Sequence, residues 1–269
     1  MPEIPDLECV REVLSDRLPG VAIEAAEVSR PIVVRAAAED FAARLTGARF
    51  ESVARRGKFL LFGLSTGTVL VVNGMLTGRF QHVRPDHKRA ARTCFTLTLS
   101  DGCELRYLDE RFMGKVYLVD EAELDAVPQL GEMGPDALDA ELTEAVFLER
   151  LRRYRGQVKN VLVNAKFIGG IGNAYADEIL FIAGIHPFTA VKDLDPSRRA
   201  RLYGALHEVL TWAIPIVRTE MDAQLDRKPR DFLRVHRKGG DPCPQCGATI
   251  SEVSPSRRVT SFCRSCQPS

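Results

Sequence analysis

Residues 158–187 read VKNVLVNAKFIGGIGNAYADEILFIAGIHP. The spacing of Val158, Val161 and Leu162 predicts a short helix over 158–165, stopped by the double glycine Gly169-Gly170. A second glycine turn, Ile171-Gly172-Asn173, opens another helix over 173–183, and His186-Pro187 closes it. The first N–H groups of that second helix have no partner within it. With the Asn173 side chain beside them they suit an anion such as a phosphodiester. Lys159 is placed to reach the same phosphate. Taken alone, the pattern equally fits an αα-hairpin with a glycine-rich linker.

Toward the C-terminus, Cys243-Pro244-Gln245-Cys246 and Cys263-Arg264-Ser265-Cys266 form two C-x-x-C pairs with sixteen residues between them. Zinc takes four tetrahedral ligands, and each pair supplies two thiolates from one turn. So small a unit cannot bury an adequate core, so the metal supplies the folding free energy. Four sulfur ligands leave no open position, which makes the expected Zn2+ structural rather than catalytic. Arg257 and Arg258 fall at the expected hairpin tip between the pairs, where a solvated turn is an equal reading.

Toward the N-terminus the character changes. Residues 120–144 carry nine acids and no Lys or Arg, and Pro128, Gly131, Gly134 and Pro135 mark a linker. Before it, β-branched and aromatic stretches recur near 21–28, 49–54, 58–64, 68–73, 94–99, 103–108 and 115–119. Ser65-Thr66-Gly67 and Ser100-Asp101-Gly102 are turns between them, so hairpins of a sandwich or barrel are expected. Leu7, Val10, Val13, Leu14 and Leu18 give an amphipathic helix over 6–18. Further helices are expected at 141–154 and at 196–218, the last interrupted near Pro215.

The chain has 269 residues, 45% of them apolar, and no apolar run approaches the roughly 20 residues of a membrane span. The opening MPEIPDLE lacks the basic and apolar regions of a signal peptide, so a cytoplasmic location is expected. The remaining thiols, Cys9, Cys94 and Cys103, read as ordinary reduced residues there, and His82, His87, His207 and His236 form no ligand set along the sequence. The net charge is only +1, but residues 150–166 carry six Lys/Arg and no acid, and residues 226–269 carry nine Lys/Arg against four acids. Such segregation can build one basic face on a near-neutral protein.

If Met1 is removed, which a small second residue permits, Pro2 becomes a secondary amine. A terminal amine has a pKa near ~8, so part of it is neutral and nucleophilic at neutral pH. It can attack C1′ of a deoxyribose, expel the base and leave an iminium that acidifies the C2′ protons, so strand cleavage by elimination follows. Glu3 is beside it as a general acid or base. On their own, a proline and a glutamate after an initiating methionine are an ordinary N-terminus.

The whole chain resembles the bacterial formamidopyrimidine-DNA glycosylase/endonuclease VIII family. The resemblance rests on MPEIPDLE at the start, RRGKFLLF at 55–62, NGMLTGRF at 73–80, DERFMG at 109–114, GGIGNAYADEILFIAGIHP, and the C-terminal CPQC with RRVTSFCRSCQ. It implies an α+β fold: an N-terminal β-sandwich with flanking helices over 1–127, an acidic linker over 128–140, a helical helix-two-turn-helix domain over 141–234 and a zinc-ribbon finger over 235–269. It implies a monomer acting on damaged DNA with one structural Zn2+ and no diffusible cofactor. Pro2 is then the Schiff-base nucleophile and Glu3 the proton donor that opens the sugar. Lys58 serves β-elimination. Arg258 grips the phosphates flanking the lesion and assists δ-elimination. Asn173 and Lys159 are phosphate contacts. A damaged nucleotide must leave the stack to reach Pro2. Met75 or Leu76, with Arg111 and either Phe112 or Met113, fill the gap.

Some positions depart from the family's usual pattern. Asn73 stands where a phosphate-contacting histidine is usual, and Asp109-Glu110-Arg111-Phe112-Met113-Gly114 replaces Asp-Pro-Arg-Arg-Phe-Gly. Asp6 replaces a glutamate, and residues 219–233 are short for a long base-covering loop. These differences bear on which lesion is chosen, oxidised pyrimidines or 8-oxoguanine and formamidopyrimidines. A rival of another class is a lesion- or structure-specific DNA-binding protein without lyase activity.

Overall fold

The computed structural model describes residues 1–222, 224–254 and 258–268, so Arg257 lies outside the described residues. The chain divides into two compact units, Met1–Glu132 with Val217–Pro229, and Met133–Ile216 with Arg230–Ser269. Residues 217–229, expected with the helical segment, thus pack with the first unit. Val217, Met221 and Leu225 are buried there.

The first unit begins with α1 (Ile4–Arg17). Its start is set by Glu3 and Asp6, which form a capping box, with the Glu3 N–H donating to Asp6 Oδ2 at 2.8 Å. A capping carboxylate satisfies an N–H that no helical carbonyl reaches. Then come β1 (Ile23–Val28), α2 (Ala38–Leu45), β2 (Phe50–Arg56), β3 (Phe59–Leu64), β4 (Thr68–Asn73), β5 (Gly78–Val83), β6 (Thr93–Leu99), β7 (Glu104–Asp109) and β8 (Lys115–Asp120). They make two antiparallel sheets, ordered β1-β6-β7-β5 and β2-β3-β4-β8. This is the expected sandwich. Its core is a run of aromatic pairs from Phe41 through Phe95, Tyr107, Phe80 and Phe62 to Phe50, with centroids 5.3–6.0 Å apart. The run starts on α2, crosses the first sheet and ends on the second, so it binds the two layers. Each such pair adds about 0.5–1.5 kcal/mol beyond its buried area.

Two of these elements were not expected. In β5, Gly78, Arg79, Gln81 and His82 outnumber strand formers, yet the strand pairs with β7 over its whole length. Tertiary packing of Phe80 overrides its composition. In α2, only Phe41 and Leu45 are buried, one turn apart, and so short a stripe gives little periodicity.

The second unit holds α3 (Glu144–Leu151), α4 (Val158–Leu162), α5 (Asn173–Ala183), most of α6 (Pro196–Met221) and the hairpin β9 (Ser251–Val253) and β10 (Thr260–Phe262). α3 is shorter than expected because Thr143 caps it, accepting from the Val146 N–H. α6 runs through Pro215 rather than breaking there. A helix-interior proline costs about 3 kcal/mol. The buried stripe Leu202, Leu206, Val209, Leu210, Ala213, Val217 and Met221 continues across it and outweighs that cost. Gly184, at φ +64°, ends α5 in the left-handed conformation that favours glycine. Among the described residues, no helix is long and apolar enough to cross a membrane.

Candidate active site and nucleic-acid interface

The site in the first unit is built around the chain start. Pro2 is buried and Glu3 is only 3% exposed. Pro2 lines a cavity with Asp6, Leu7, Gly78, Tyr107 and Lys228. The Met1 amine is pushed down to about 4, first by burial and then by the positive charge of Lys228, with Arg79 adding to it and Glu3 opposing. Burial and these cations thus disfavour a charged amine at the chain start. Neither Arg79 nor Lys228 was singled out from the sequence, because nothing local to either residue links it to the N-terminus.

Lys58 sits in the two-residue turn joining β2 to β3, after Gly57 at φ +60°. That is the position where a type II′ hairpin takes glycine. The hairpin is tied to α1, since Arg55 Nε lies 2.7 Å from Glu8 Oε2. Phe59, which follows Lys58, pairs with Asn73, and Asn73 pairs with Lys115.

Asn73 is buried, and its Oδ1 accepts from the Met75 N–H at 2.9 Å. It therefore braces a turn from inside, in the manner of an Asx turn. The turn is closed by two glycines, with the Gly78 N–H donating to the Gly74 carbonyl at 2.7 Å. A Cβ on Gly78 would lie 2.3 Å from the Tyr107 hydroxyl and 2.5 Å from the Gly74 Cα. Met75 and Leu76 ride on this turn half-buried, with Met75 at φ +45°.

The loop at 110–114 and the turn after β4 are held by one carboxylate. Asp109 is 0% exposed and accepts from the Thr77 hydroxyl, from the Arg111 N–H at 3.1 Å and from the Gly114 N–H at 2.6 Å. One carboxylate thus couples both loops expected to enter the duplex. Phe112 is held at φ +53°, and its ring has the Arg92 guanidinium 5.0 Å and the Arg30 guanidinium 5.9 Å from its centroid. Arg111 and Met113 are exposed, Met113 by 42%. Left-handed conformations at Met75 and Phe112 are strained for such side chains and persist only where surroundings impose them.

In the second unit, Lys159 turns inward rather than toward solvent. It is 5% exposed, and its Nζ lies 2.6 Å from Asp177 Oδ1, 2.9 Å from the Val259 carbonyl and 2.8 Å from Thr260 Oγ1. These acceptors match the three N–H donors of an ammonium group. In this structure the ammonium group expected at a phosphate meets acceptors within the protein. Asn173 Nδ2 also donates to the Val259 carbonyl, at 2.6 Å. Arg258, the residue before that carbonyl, is exposed. Asp177 further holds His236 Nδ1 at 2.7 Å and the Ser261 N–H at 3.2 Å. Its neighbour Glu178 accepts from the N–H groups of Arg234, Val235 and His236 at 2.9–3.0 Å, while burial pushes its carboxyl up. The Asp177-Glu178 pair on α5 therefore fastens the finger, a role no spacing in the sequence suggests.

The four cysteine sulfurs lie within 4.8 Å of one another, with Cys243–Cys266 at 3.8 Å and Cys246–Cys263 at 3.5 Å. Tetrahedral zinc with Zn–S of about 2.3 Å needs S···S separations of about 3.8 Å. The cluster fits the ion. Cys243 and Cys263 pack with Phe181, Val235 and Ile250, so the metal site shares a core with α5.

Comparison with known proteins agrees with this architecture. Residues 1–116 match the formamidopyrimidine-DNA glycosylase N-terminal domain, residues 133–224 its H2TH domain, and residues 240–268 the zinc finger found in FPG and IleRS. The chain is 34% identical over 273 residues to the formamidopyrimidine-DNA glycosylase of Pelotomaculum thermopropionicum, covering 99% of each. It is 36% identical to that of Symbiobacterium thermophilum, over 100% of this chain and 90% of the relative. Among solved structures it superposes on Lactococcus lactis Fpg bound to DNA containing an abasic site, with a TM-score of 0.89 and 28% identity over 99% of this chain and 100% of the other. A complex of the same bacterium's Fpg with DNA containing Fapy-dG gives a TM-score of 0.88, also at 28% identity and with the same coverage.

Proposed function

The chain belongs to the formamidopyrimidine-DNA glycosylase family, and from that membership we propose that it is a base-excision repair enzyme that cuts the strand as well as removing the base. The observation that carries this reading is the buried chain start, where Pro2 lines a cavity with Asp6, Arg79 and Lys228 and where burial and Lys228 push the amine of the chain end down. With Met1 removed, the Pro2 nitrogen attacks C1′. The glycosidic bond breaks, and the base leaves with its electron pair and takes up a proton. Glu3 donates a proton to the ring oxygen as the sugar opens. The resulting iminium acidifies C2′; loss of that proton breaks C3′–O, and a second elimination breaks C5′–O. Water then releases the enzyme. Lys58 serves the first elimination and Arg258 the second.

Damaged DNA is the partner. Asn173 and Arg258 meet its phosphates, while Lys159 acts through Val259. Met75 or Leu76, with Arg111 and either Phe112 or Met113, carried on the two loops that Asp109 couples, occupy the space left by the extruded nucleotide, and Asn73 shapes the first of those loops. Inserted apolar side chains offset an unstacking cost of a few kcal/mol. Cys243, Cys246, Cys263 and Cys266 hold one structural Zn2+, which fixes the finger. Borohydride trapping on a duplex with one abasic site tests the reading. A covalent adduct is expected with the wild type; Pro2→Gly should greatly weaken base excision while its primary amine keeps part of the adduct formation at the abasic site. Absence of any adduct with the wild type overturns the lyase in favour of binding without strand cleavage. Duplexes carrying single oxidised purines or pyrimidines then fix the lesion class.

A further inference from the structure

We propose that His82, Asp101 and Cys103 form a second metal site, at the end of the sandwich remote from Pro2, for a borderline divalent transition ion such as Zn2+. The residues are apart in sequence and meet through the sheet. His82 on β5 pairs with Leu105 of β7, and Cys103 precedes β7 by one residue, so His82 and Cys103 share the sheet face that carries Phe80, Leu105 and Tyr107. Side chains two residues apart on a strand point the same way. Those neighbours are buried apolar core. The layer that ends that core is an imidazole and a thiol.

Asp101 completes the set from the β6–β7 turn. One carboxylate oxygen is fixed, since Oδ1 accepts from the Cys103 N–H at 2.9 Å. The other, Oδ2, faces His82 Nε2 at 3.6 Å, too far for a hydrogen bond. His82 Nε2 is buried without a hydrogen-bond partner, and the imidazole is only 7% exposed. A nitrogen in that state loses its hydration and gains only the longer-range attraction of the Asp101 carboxylate. A metal ion between the two atoms resolves this. At about 2.0–2.1 Å from each ligand, a tetrahedral centre places nitrogen and oxygen about 3.4 Å apart, close to the separation found. The Cys103 sulfur lies within 4.8 Å of both.

The donor set selects the ion. One nitrogen, one sulfur and one oxygen suit zinc and its neighbours, whereas Mg2+ and Ca2+ ask for oxygen alone. Three protein ligands leave a fourth position for water. Asp101 is exposed and Cys103 half-buried, so an ion can enter from solvent. Binding replaces the Cys103 S–H bond with S–metal and releases one proton to solvent. The positive charges of Arg17 and Arg84 face the trio and weaken it. The finger, with four thiolates, therefore fills first and this site second.

The test uses the full chain with its finger intact. After equilibrium dialysis against Zn2+ alone, metal analysis should find two equivalents in the wild type, the second bound more weakly. His82→Gln, Cys103→Ser and Asp101→Asn should each retain one. Asp101→Asn guards against misfolding, because the exposed side chain keeps its bond to the Cys103 N–H. Co2+ added after the finger is filled with zinc should give a thiolate-to-metal absorption band that Cys103→Ser loses. A single equivalent in the wild type overturns the proposal, as does a second equivalent that survives all three substitutions.

Discussion

Lys159 and Asn173 donate to the same acceptor, the Val259 carbonyl, at 2.9 and 2.6 Å. They come from different helices, α4 and α5, and the carbonyl they share belongs to the residue after Arg258. Two side chains expected to meet phosphates thus also converge on the backbone that carries the finger arginine. The turn between the helices and the finger are one device at this point.

That relationship separates two arginine and lysine phenotypes. A side chain that neutralises a phosphate releases a counterion, so its loss lowers the slope of log K against log salt by about 0.9. Arg258→Ala should show that change. Lys159→Met should weaken binding with its slope unaltered, because the ammonium group is engaged within the protein. It should also lower the melting temperature, since Asp177 is left buried with its charge less compensated, and breaking a buried pair costs about 3–5 kcal/mol. Salt titrations of both variants on one abasic duplex make the comparison. Equal loss of slope in the two would put Lys159 on the phosphate after all.

Asp109 gives the second prediction. Its two oxygens accept from the Thr77 hydroxyl and from the N–H groups of Arg111 and Gly114. Asp109→Asn turns one acceptor into a donor facing donors, and an unsatisfied buried group costs about 1–3 kcal/mol. The loops that carry Met75, Leu76 and Arg111 should loosen together. Excision of a paired, damaged base should slow more than tenfold, whereas cleavage at a preformed abasic site should fall much less. Single-turnover rates on the two substrates decide it, and an equal fall on both would sink the idea.

The sequence does not rank the neighbouring pair Phe112 and Met113, and their surroundings in the structure differ. Arg92 and Arg30 hold the Phe112 ring, while Met113 stands 42% exposed. An exposed apolar side chain on a strained loop is the one free to leave the protein for the base stack. Met113→Ala should therefore reduce the fluorescence rise of a 2-aminopurine placed beside the lesion while changing the unfolding free energy by no more than about 0.5 kcal/mol. Phe112→Ala should lower stability instead. The reverse pattern would assign insertion to Phe112.

How much of this was legible in the sequence follows from the range of each interaction. The cysteine pairs, Pro2-Glu3 and the glycine turns at 169–172 are local patterns, and the structure places them in a metal-sized cluster, a buried chain start and the α4–α5 junction. Asp109 and Thr77 are 32 residues apart and His82 and Cys103 share only a sheet face, so no window of sequence joins them. The inward turn of Lys159 was illegible for a related reason. Its charge is visible, but its partner Asp177 is fixed by tertiary packing alone. β5 was missed because its polar residues are offset by strand pairing, not by local propensity.

Metal removal should act on the finger. Its sulfurs and its small core with Phe181 are coupled, and a unit that owes its fold to zinc unfolds without it. Extraction with a strong chelator should weaken binding to an abasic duplex by at least tenfold and expose the segment 240–268 to protease. Adding Zn2+ back should restore both. Full extraction with unchanged binding would remove the finger from the DNA-binding surface.

The last prediction concerns pH and tests the nucleophile. The Met1 amine is held down to about 4 by burial first and by Lys228 next, with Arg79 adding to the effect. Removal of Met1 leaves the Pro2 amine next to the same groups, so the same causes depress it. The reactive form is the neutral amine, present above its pKa and lost as pH falls through it. Taking away the Lys228 charge lets the amine hold its proton more tightly, so its pKa rises. The acid limb of cyanoborohydride trapping should therefore move to higher pH in Lys228→Met, and by less in Arg79→Met. The trapping rate well above the limb should change little if Lys228 acts through the amine alone. An acid limb that stays in place, or moves to lower pH, would show that the amine's protonation does not govern adduct formation and that Lys228 serves the site in another way.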